Sequence, residues 1–185
     1  MDIVIRLAEE SDFPAYLNLM QKTYQDSFVN DEIGLTKEMF DSQYFHTPKA
    51  LEFFTEMMQV SDMQKCWLAF IGDELVGSIT MKKDKNKYTL AGFYVKTEYQ
   101  RMGIGKKLWN LAQEYAKAKD IVLSVYTHNI KTIELYKKWG FIVDSNKEIH
   151  TGRWEGWPEG VVIRILYMRK PGQSSSNERK TKPKR

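Results

Sequence analysis

Hydrophobic and polar positions change rhythm repeatedly along the chain, and the changes predict strands and helices in alternation. Residues 2–7 alternate, with Ile3 and Ile5 on one side, as a strand does. Ser11-Asp12 ahead of Phe13-Pro14 marks a helix start, with proline tolerated in the first turn, and that helix is expected to run to about Tyr24. Residues 36–60 predict one or two helices, broken near Thr47-Pro48. Residues 66–71 and 75–81 flank Gly72-Asp73 and predict a hairpin. A charged loop over 82–87 then leads into a strand over 88–96.

The second half is plainer. Ile104, Leu108, Leu111, Ala112 and Tyr115 form the apolar stripe of a helix over 104–119. Residues 121–127 are a continuous apolar strand. A helix over 130–139 is stopped by Gly140. Residues 141–143 and 161–168 supply final strands. The order predicts an α/β fold with a mixed sheet and helices on its faces. There is no internal repeat, and a single domain is expected over 1–170. Residues 171–185, rich in serine and lysine, are expected to be a basic, disordered tail.

Composition narrows the class. With 185 residues, 42% hydrophobic and 28% charged, the chain can bury a core without disulfides. Cys66 is the one cysteine, which excludes a disulfide framework and a cysteine-based zinc site, and it is expected to be a small core residue. His46, His128 and His150 lack metal-ligand spacing, so no metal is expected. Asp2, Arg6, Glu9 and Glu10 interrupt any signal-peptide apolar region. No apolar run is long enough to span a membrane. A cytoplasmic protein is the expectation.

Charge is informative once located. The net charge of +4 sits in the tail, which holds five bases against Glu178, so residues 1–170 balance at 23 bases and 23 acids. Residues 1–62 carry 12 acids and 4 bases, net −8, whereas residues 63–170 carry 19 bases and 11 acids, net +8. Such polarity fits one face for a cation and another for an anion, or two faces that attract each other or lie in solvent. The tail has no aromatics interleaved with its bases, which argues against a nucleic-acid partner.

The most specific chemistry lies in Gln100-Arg101-Met102-Gly103-Ile104-Gly105-Lys106, between a strand and a helix. A helix start offers unpaired N–H groups and partial positive charge, glycines let the backbone approach an anion, and Arg101, Lys106 and Lys107 add full charges. Neither the P-loop spacing nor a third glycine of the dinucleotide fingerprint is present. The loop suits a diphosphate; the alternative is a plain strand-to-helix turn.

That loop resembles the Q/R-x-x-G-x-G/A motif of the GNAT superfamily of acyl-CoA-dependent N-acyltransferases. Asn129 followed by Tyr136-Lys137-Lys138-Trp139-Gly140-Phe141 resembles the superfamily's N-x(6)-Y-x-K-x-G-F block, and Trp67-Leu68-Ala69-Phe70 with Asp73-Glu74-Leu75-Val76-Gly77 its first hairpin. The likeness covers about residues 2–169 in order. Thr23-Tyr24-x-x-Ser27-Phe28 and the segment 36–60 look most like bacterial spermidine/spermine N-acetyltransferases.

The resemblance implies a GNAT-type, mostly antiparallel sheet and a reaction between acetyl-CoA and a primary amine through a ternary complex. It implies that the backbone of Phe93, Tyr94 and Val95 pairs with the pantetheine arm and polarises the thioester. Gln100, Arg101, Met102, Gly103, Ile104, Gly105 and Lys106 would hold the pyrophosphate. Asn129 would bond the pantetheine arm, and it is also a natural helix cap. Tyr136 would protonate the departing thiolate; otherwise it is a packed aromatic. Many relatives place a glutamate base on the strand before the phosphate loop, where this chain has Ala91-Gly92. A water relay to Asp26 or Glu32 is the expected substitute. Trp154 and Trp157 suit a substrate wall, a homodimer contact, or packing under their loop. The acidic first third favours a cationic acceptor, polyamines first. A protein or peptide N-acetyltransferase and a catalytically silent CoA-binding module are the alternatives.

Overall fold

A computed structural model describes residues 2–172, without the side chains of Ser42 and Tyr44. The expected tail over 171–185 therefore lies almost wholly outside the described residues.

Among the described residues eight strands form one sheet. They are β1 (Val4–Leu7), β2 (Gln64–Ile71), β3 (Glu74–Lys83), β4 (Lys87–Val95), β5 (Asp120–Tyr126), β6 (Ile142–Val143), β7 (His150–Gly152) and β8 (Ile163–Lys170). The order across the sheet is β1-β2-β3-β4-β5-β8-β6, with β7 also paired to β8. β4 and β5 run parallel, and the other pairs are antiparallel. The helices are α1 (Phe13–Ser27), α2 (Ser42–Phe45), α3 (Pro48–Met58), α4 (Ile104–Ala116) and α5 (Ile130–Lys138). The expected mixed α/β architecture is the one observed.

Alternation along the strands splits the interior into two cores. On one face α1, α2 and α3 bury Tyr16, Leu19, Tyr24, Phe45 and Phe54 against Cys66 and Leu68 of β2. On the other, α4 and α5 bury Ile104, Leu108, Ala112, Ile133 and Tyr136 against Val76 and Ile79 of β3. Trp109 and Ala116 complete the buried stripe of α4, while Leu111 and Tyr115 are only half-buried. The break expected near Thr47-Pro48 is a cap: the Thr47 hydroxyl accepts from Ala50 N–H at 3.3 Å, and Pro48 opens α3. Gly140, at φ +87°, ends α5 as expected.

Two features shape the site. The β4–β5 pairing lasts only from Lys87↔Asp120 to Thr89↔Val122. Beyond it β4 stays with β3 as far as Val95↔Gly77, and β5 goes with β8 as far as Tyr126↔Ile165. The sheet therefore splits in the middle. A bulge also interrupts β4: Leu90 pairs with Met81 and Gly92 with Thr80, so Ala91 is the extra residue.

Candidate active site

The split opens into a cavity of about 1270 Å³. One wall is β4 from Leu90 to Val95, and the other is Ser124, Val125 and Tyr126 of β5 with Tyr136 of α5. Past Thr89 the β5-facing edge of β4 has no strand beside it. Backbone N–H and C=O groups there need partners, and an extended ligand carrying amides can supply them as a strand would. Part of this demand is met internally, since Gln100 Nε2 donates to the Val95 carbonyl at 3.3 Å.

The far end of β4 leads into the Gln100–Lys106 loop. Arg101 has φ 64° and Gly103 φ 85°, so left-handed residues precede the first turn of α4. Such alternation turns successive N–H groups toward one point, an anion-binding nest. Holding a non-glycine residue left-handed costs about 1–3 kcal/mol. Gly105 is needed for another reason: a Cβ there would lie 3.1 Å from the Phe93 ring. Arg101, Gly103, Gly105 and Lys106 line the cavity. Met102 does not, and its side chain is exposed; Ile104 turns its side chain into the core beneath α4. Those two can contribute backbone only.

Asn129 caps α5 by accepting from Thr132 N–H at 3.4 Å through Oδ1, which leaves its amide nitrogen for the cavity it lines. Tyr136, in the last turn of α5, packs on Phe141 and Trp139 and also lines the cavity. Burial, and then the neighbouring Tyr94 phenol, push its pKa well above the usual phenol value. It stays protonated at any physiological pH. Trp139 stacks on Trp109 with centroids 4.8 Å apart, giving this side of the cavity a rigid wall. Nothing in the sequence motif points to Trp109; the signal is its place one turn into α4, facing the split.

The opposite end of the cavity is aromatic. Tyr24, Phe28, Phe53, Tyr94, Tyr126 and Trp154 line it. Trp154 and Trp157 stack at 6.0 Å but differ in role: Trp154 is part of the wall, while Trp157 is 4% exposed and packs on Phe40 beneath the loop. Among the described residues no acid of 1–62 lines the cavity. Asp26 pairs with Lys22 at 3.1 Å, and Glu32 is exposed on a short 3-10 turn. Neither candidate base is brought to the site. The acid on the wall is Glu155, and it pairs with Lys49 at 2.8 Å.

At Gly92 of β4 a side chain would be crowded. The bulge turns Ala91 and Gly92 toward the same core, and a Cβ on Gly92 would lie 2.9 Å from both Met57 Cε and Tyr94 Cε2. Met57 can yield, but the Tyr94 ring is held. Gly92→Ala is expected to lose about 1–3 kcal/mol of stability through overpacking. A thermal or urea melt checks this, and an unchanged midpoint would show that the ring moves freely.

Comparison with known proteins fits this geometry. The sequence profile of the acetyltransferase (GNAT) family matches residues 20–141. The chain belongs to that family, and its class is acetyl-CoA-dependent N-acetyltransferase. It is 28% identical over 132 residues to the probable N-acetyltransferase san of Drosophila melanogaster, covering 66% of this chain and 70% of that one. It is 34% identical over 90 residues to N-alpha-acetyltransferase 30 of Homo sapiens, covering 44% of this chain but only 25% of that one. Among solved structures, the PaiA N-acetyltransferase of Thermoplasma acidophilum in complex with coenzyme A has a TM-score of 0.63 at 22% identity, over 92% of this chain and 99% of that one. The ribosomal-protein-S18-alanine N-acetyltransferase of Escherichia coli gives 0.64 at 17%, over 92% and 94%. These two show the shared fold.

Proposed function

We propose that the chain, as a single domain over residues 1–170, moves the acetyl group of acetyl-CoA to the primary amine of a small cationic acceptor, polyamines first, by direct attack in a ternary complex. The observation that carries this is the split between β4 and β5, which places an unpaired strand edge, an anion nest and a buried phenol around one cavity. Bound there, acetyl-CoA supplies an acetyl thioester open to attack by an amine. The edge of Phe93, Tyr94 and Val95 holds the pantetheine arm, and its N–H groups polarise the carbonyl as charge develops on oxygen. Residues 100–106 take the pyrophosphate, and Asn129 steadies the arm.

Tyr136 gives its proton to the departing sulfur. An ordinary thiol has a pKa near 8.5, below a phenol's 10, so complete transfer is uphill, and burial, which raises both kinds of group, does not reverse that order. Tyr136 helps by donating a charge-assisted hydrogen bond to sulfur as charge develops there, and the proton passes as solvent resupplies the phenol.

Two observations support a cationic acceptor. The aromatic end of the cavity offers ring faces to an ammonium group. The net −8 of residues 1–62 acts on an approaching cation at a distance, not by contact. A second reading, acetylation of a peptide N-terminus, is favoured by the N-alpha-acetyltransferase relatives and by exposed Arg153 on the cavity wall, which suits a peptide carbonyl. A catalytic role is favoured over a silent CoA-binding module by the retained Asn129 and Tyr136. No helix among the described residues is long and apolar enough to cross a membrane; we place the protein in the cytoplasm, with no nucleic-acid partner.

A panel of spermidine, aminoglycosides, amino acids and peptides, read by thiol release from acetyl-CoA, tests the acceptor. Spermidine is expected to lead, with kcat/KM falling as salt screens the acidic first third. Faster turnover of peptides would establish the second reading. Neutral amino acids as best acceptors, or no effect of salt, would overturn the cationic one.

A further inference from the structure

Tyr24 and Tyr94 are separated by 70 positions, yet their hydroxyls meet at 3.2 Å and both line the cavity. Their rings stack with centroids 5.7 Å apart. Alternation along β4 sets this up. Phe93 and Val95 point toward α4 and α5, while Tyr94 points to the face covered by α1 and α3. Tyr136 approaches the split from α5, on the opposite face. The two phenols therefore flank the unpaired edge of β4 from opposite sides of the sheet. That is the arrangement a substitution at carbonyl carbon requires, with nucleophile and leaving group kept apart and each beside its own hydroxyl.

Among the described residues the carboxylate that lines the cavity is Glu155, which is exposed and pairs with Lys49 at 2.8 Å. Asp26 pairs with Lys22 and does not line it, and a Cβ at Gly92 would crowd Met57 and Tyr94. The groups that face the pair are themselves phenols: Tyr16 from α1, Tyr126 from β5 and Tyr136 from α5. Burial raises the pKa of both Tyr24 and Tyr94, so both are neutral hydroxyls and neither is a base. A neutral phenol still accepts a hydrogen bond. Whichever of the two donates, the Tyr94 oxygen keeps a free lone pair. At 3.2 Å the pair is longer than the usual O–H···O bond, so it yields readily to a third partner.

We propose that the Tyr94 hydroxyl, held in place by Tyr24, receives an N–H of the attacking amine and aims its lone pair at the thioester carbonyl. Tyr94 is then a catalytic residue in contact with substrate, and Tyr24 is a positioning residue acting through it. The step balances as follows. The ammonium first gives one proton to bulk water; the neutral nitrogen then bonds to the acetyl carbon and the C–S bond breaks. One amine proton leaves to water at the open aromatic end. Sulfur takes the proton of Tyr136, which solvent replaces. No enzyme base is consumed.

This rests on the acetyl-transfer reading above, and the experiment separates the two. Spermidine kinetics are measured for wild type, Tyr94→Phe, Tyr24→Phe and the double variant, with melting temperatures and acetyl-CoA affinity by calorimetry. Tyr16→Phe is the control, since Tyr16 is fully buried and lies outside the cavity lining. Tyr94→Phe should lower kcat/KM for the amine by about tenfold or more, with acetyl-CoA affinity within about twofold of wild type. Calorimetric affinity of spermidine for the protein–CoA complex should fall alongside. Tyr24→Phe should cost less, and the double variant no more than Tyr94→Phe alone, as expected of two groups acting as one unit. Tyr16→Phe should match wild type.

Wild-type behaviour of Tyr94→Phe would overturn the proposal while leaving acetyl transfer intact. Fully additive losses would overturn the role of Tyr24. A melting temperature or acetyl-CoA affinity that falls in step with activity would reduce both tyrosines to packing and overturn it as well. Absence of turnover by wild type with every amine tested would instead overturn the functional reading beneath it.

Discussion

Tyr136→Phe is expected to lower kcat by at least about tenfold, with KM for acetyl-CoA little changed. Removing the hydroxyl leaves the ring on Phe141 and Trp139, so folding and CoA binding should survive. What disappears is the proton offered to sulfur. General acid assistance is typically worth about 10²–10⁴-fold, and the lower bound allows for thiolate departure toward water. Because burial holds the Tyr136 pKa well above the phenol range, its hydroxyl does not ionise between pH 6 and 10. The loss should therefore be the same across that window. Steady-state kinetics decides: wild-type turnover in the variant would return Tyr136 to a packed aromatic.

Arg101→Ala is expected to weaken CoA binding by about 1.5–3 kcal/mol, the worth of a charge-assisted contact to phosphate. That is roughly 10–150-fold in affinity. Both residues carry a Cβ, so the left-handed conformation at φ 64° is equally costly before and after substitution, and the loss reports the guanidinium. Arg101→Gly provides the complement. It removes the same charge but relieves the backbone, so it should weaken CoA by a similar amount while raising the melting temperature. Unchanged calorimetric affinity in either variant would move the pyrophosphate elsewhere.

The sequence named residues on one side of the cavity better than on the other. The loop before α4 was legible because glycines at a strand-to-helix junction are a local signal, and Arg101, Gly103, Gly105 and Lys106 line the cavity; that they take a pyrophosphate is the proposal made above. Asn129 and Tyr136 were legible only through the resemblance of the block that holds them to the family's pattern. Tyr24 and Tyr94 as a pair were not. Their meeting depends on how α1 crosses β4 and on a one-residue bulge at Ala91, neither of which leaves a periodic trace. Asp26 and Glu32 were the expected substitutes for the glutamate that relatives carry, but sequence position says nothing of where a side chain ends: Asp26 pairs with Lys22 and Glu32 is exposed. The strand β7 was missed because His150-Thr151-Gly152 has no apolar alternation; it exists because β8 offers it an edge.

The lesson from Gly92 is more general. Read as a sequence, it is a departure from a pattern that usually holds a base. In the fold it is the residue that makes room for the Tyr94 ring. Where the family pattern has a base, this chain has the space that the Tyr94 ring occupies, and on the proposal above that phenol faces the acceptor.

Initial-velocity kinetics with acetyl-CoA and spermidine varied together test the central claim most directly. Direct attack within one cavity predicts intersecting double-reciprocal lines, and one thiol released for each acetylated amine. Parallel lines, or thiol released without a matching acetylated amine, would contradict it.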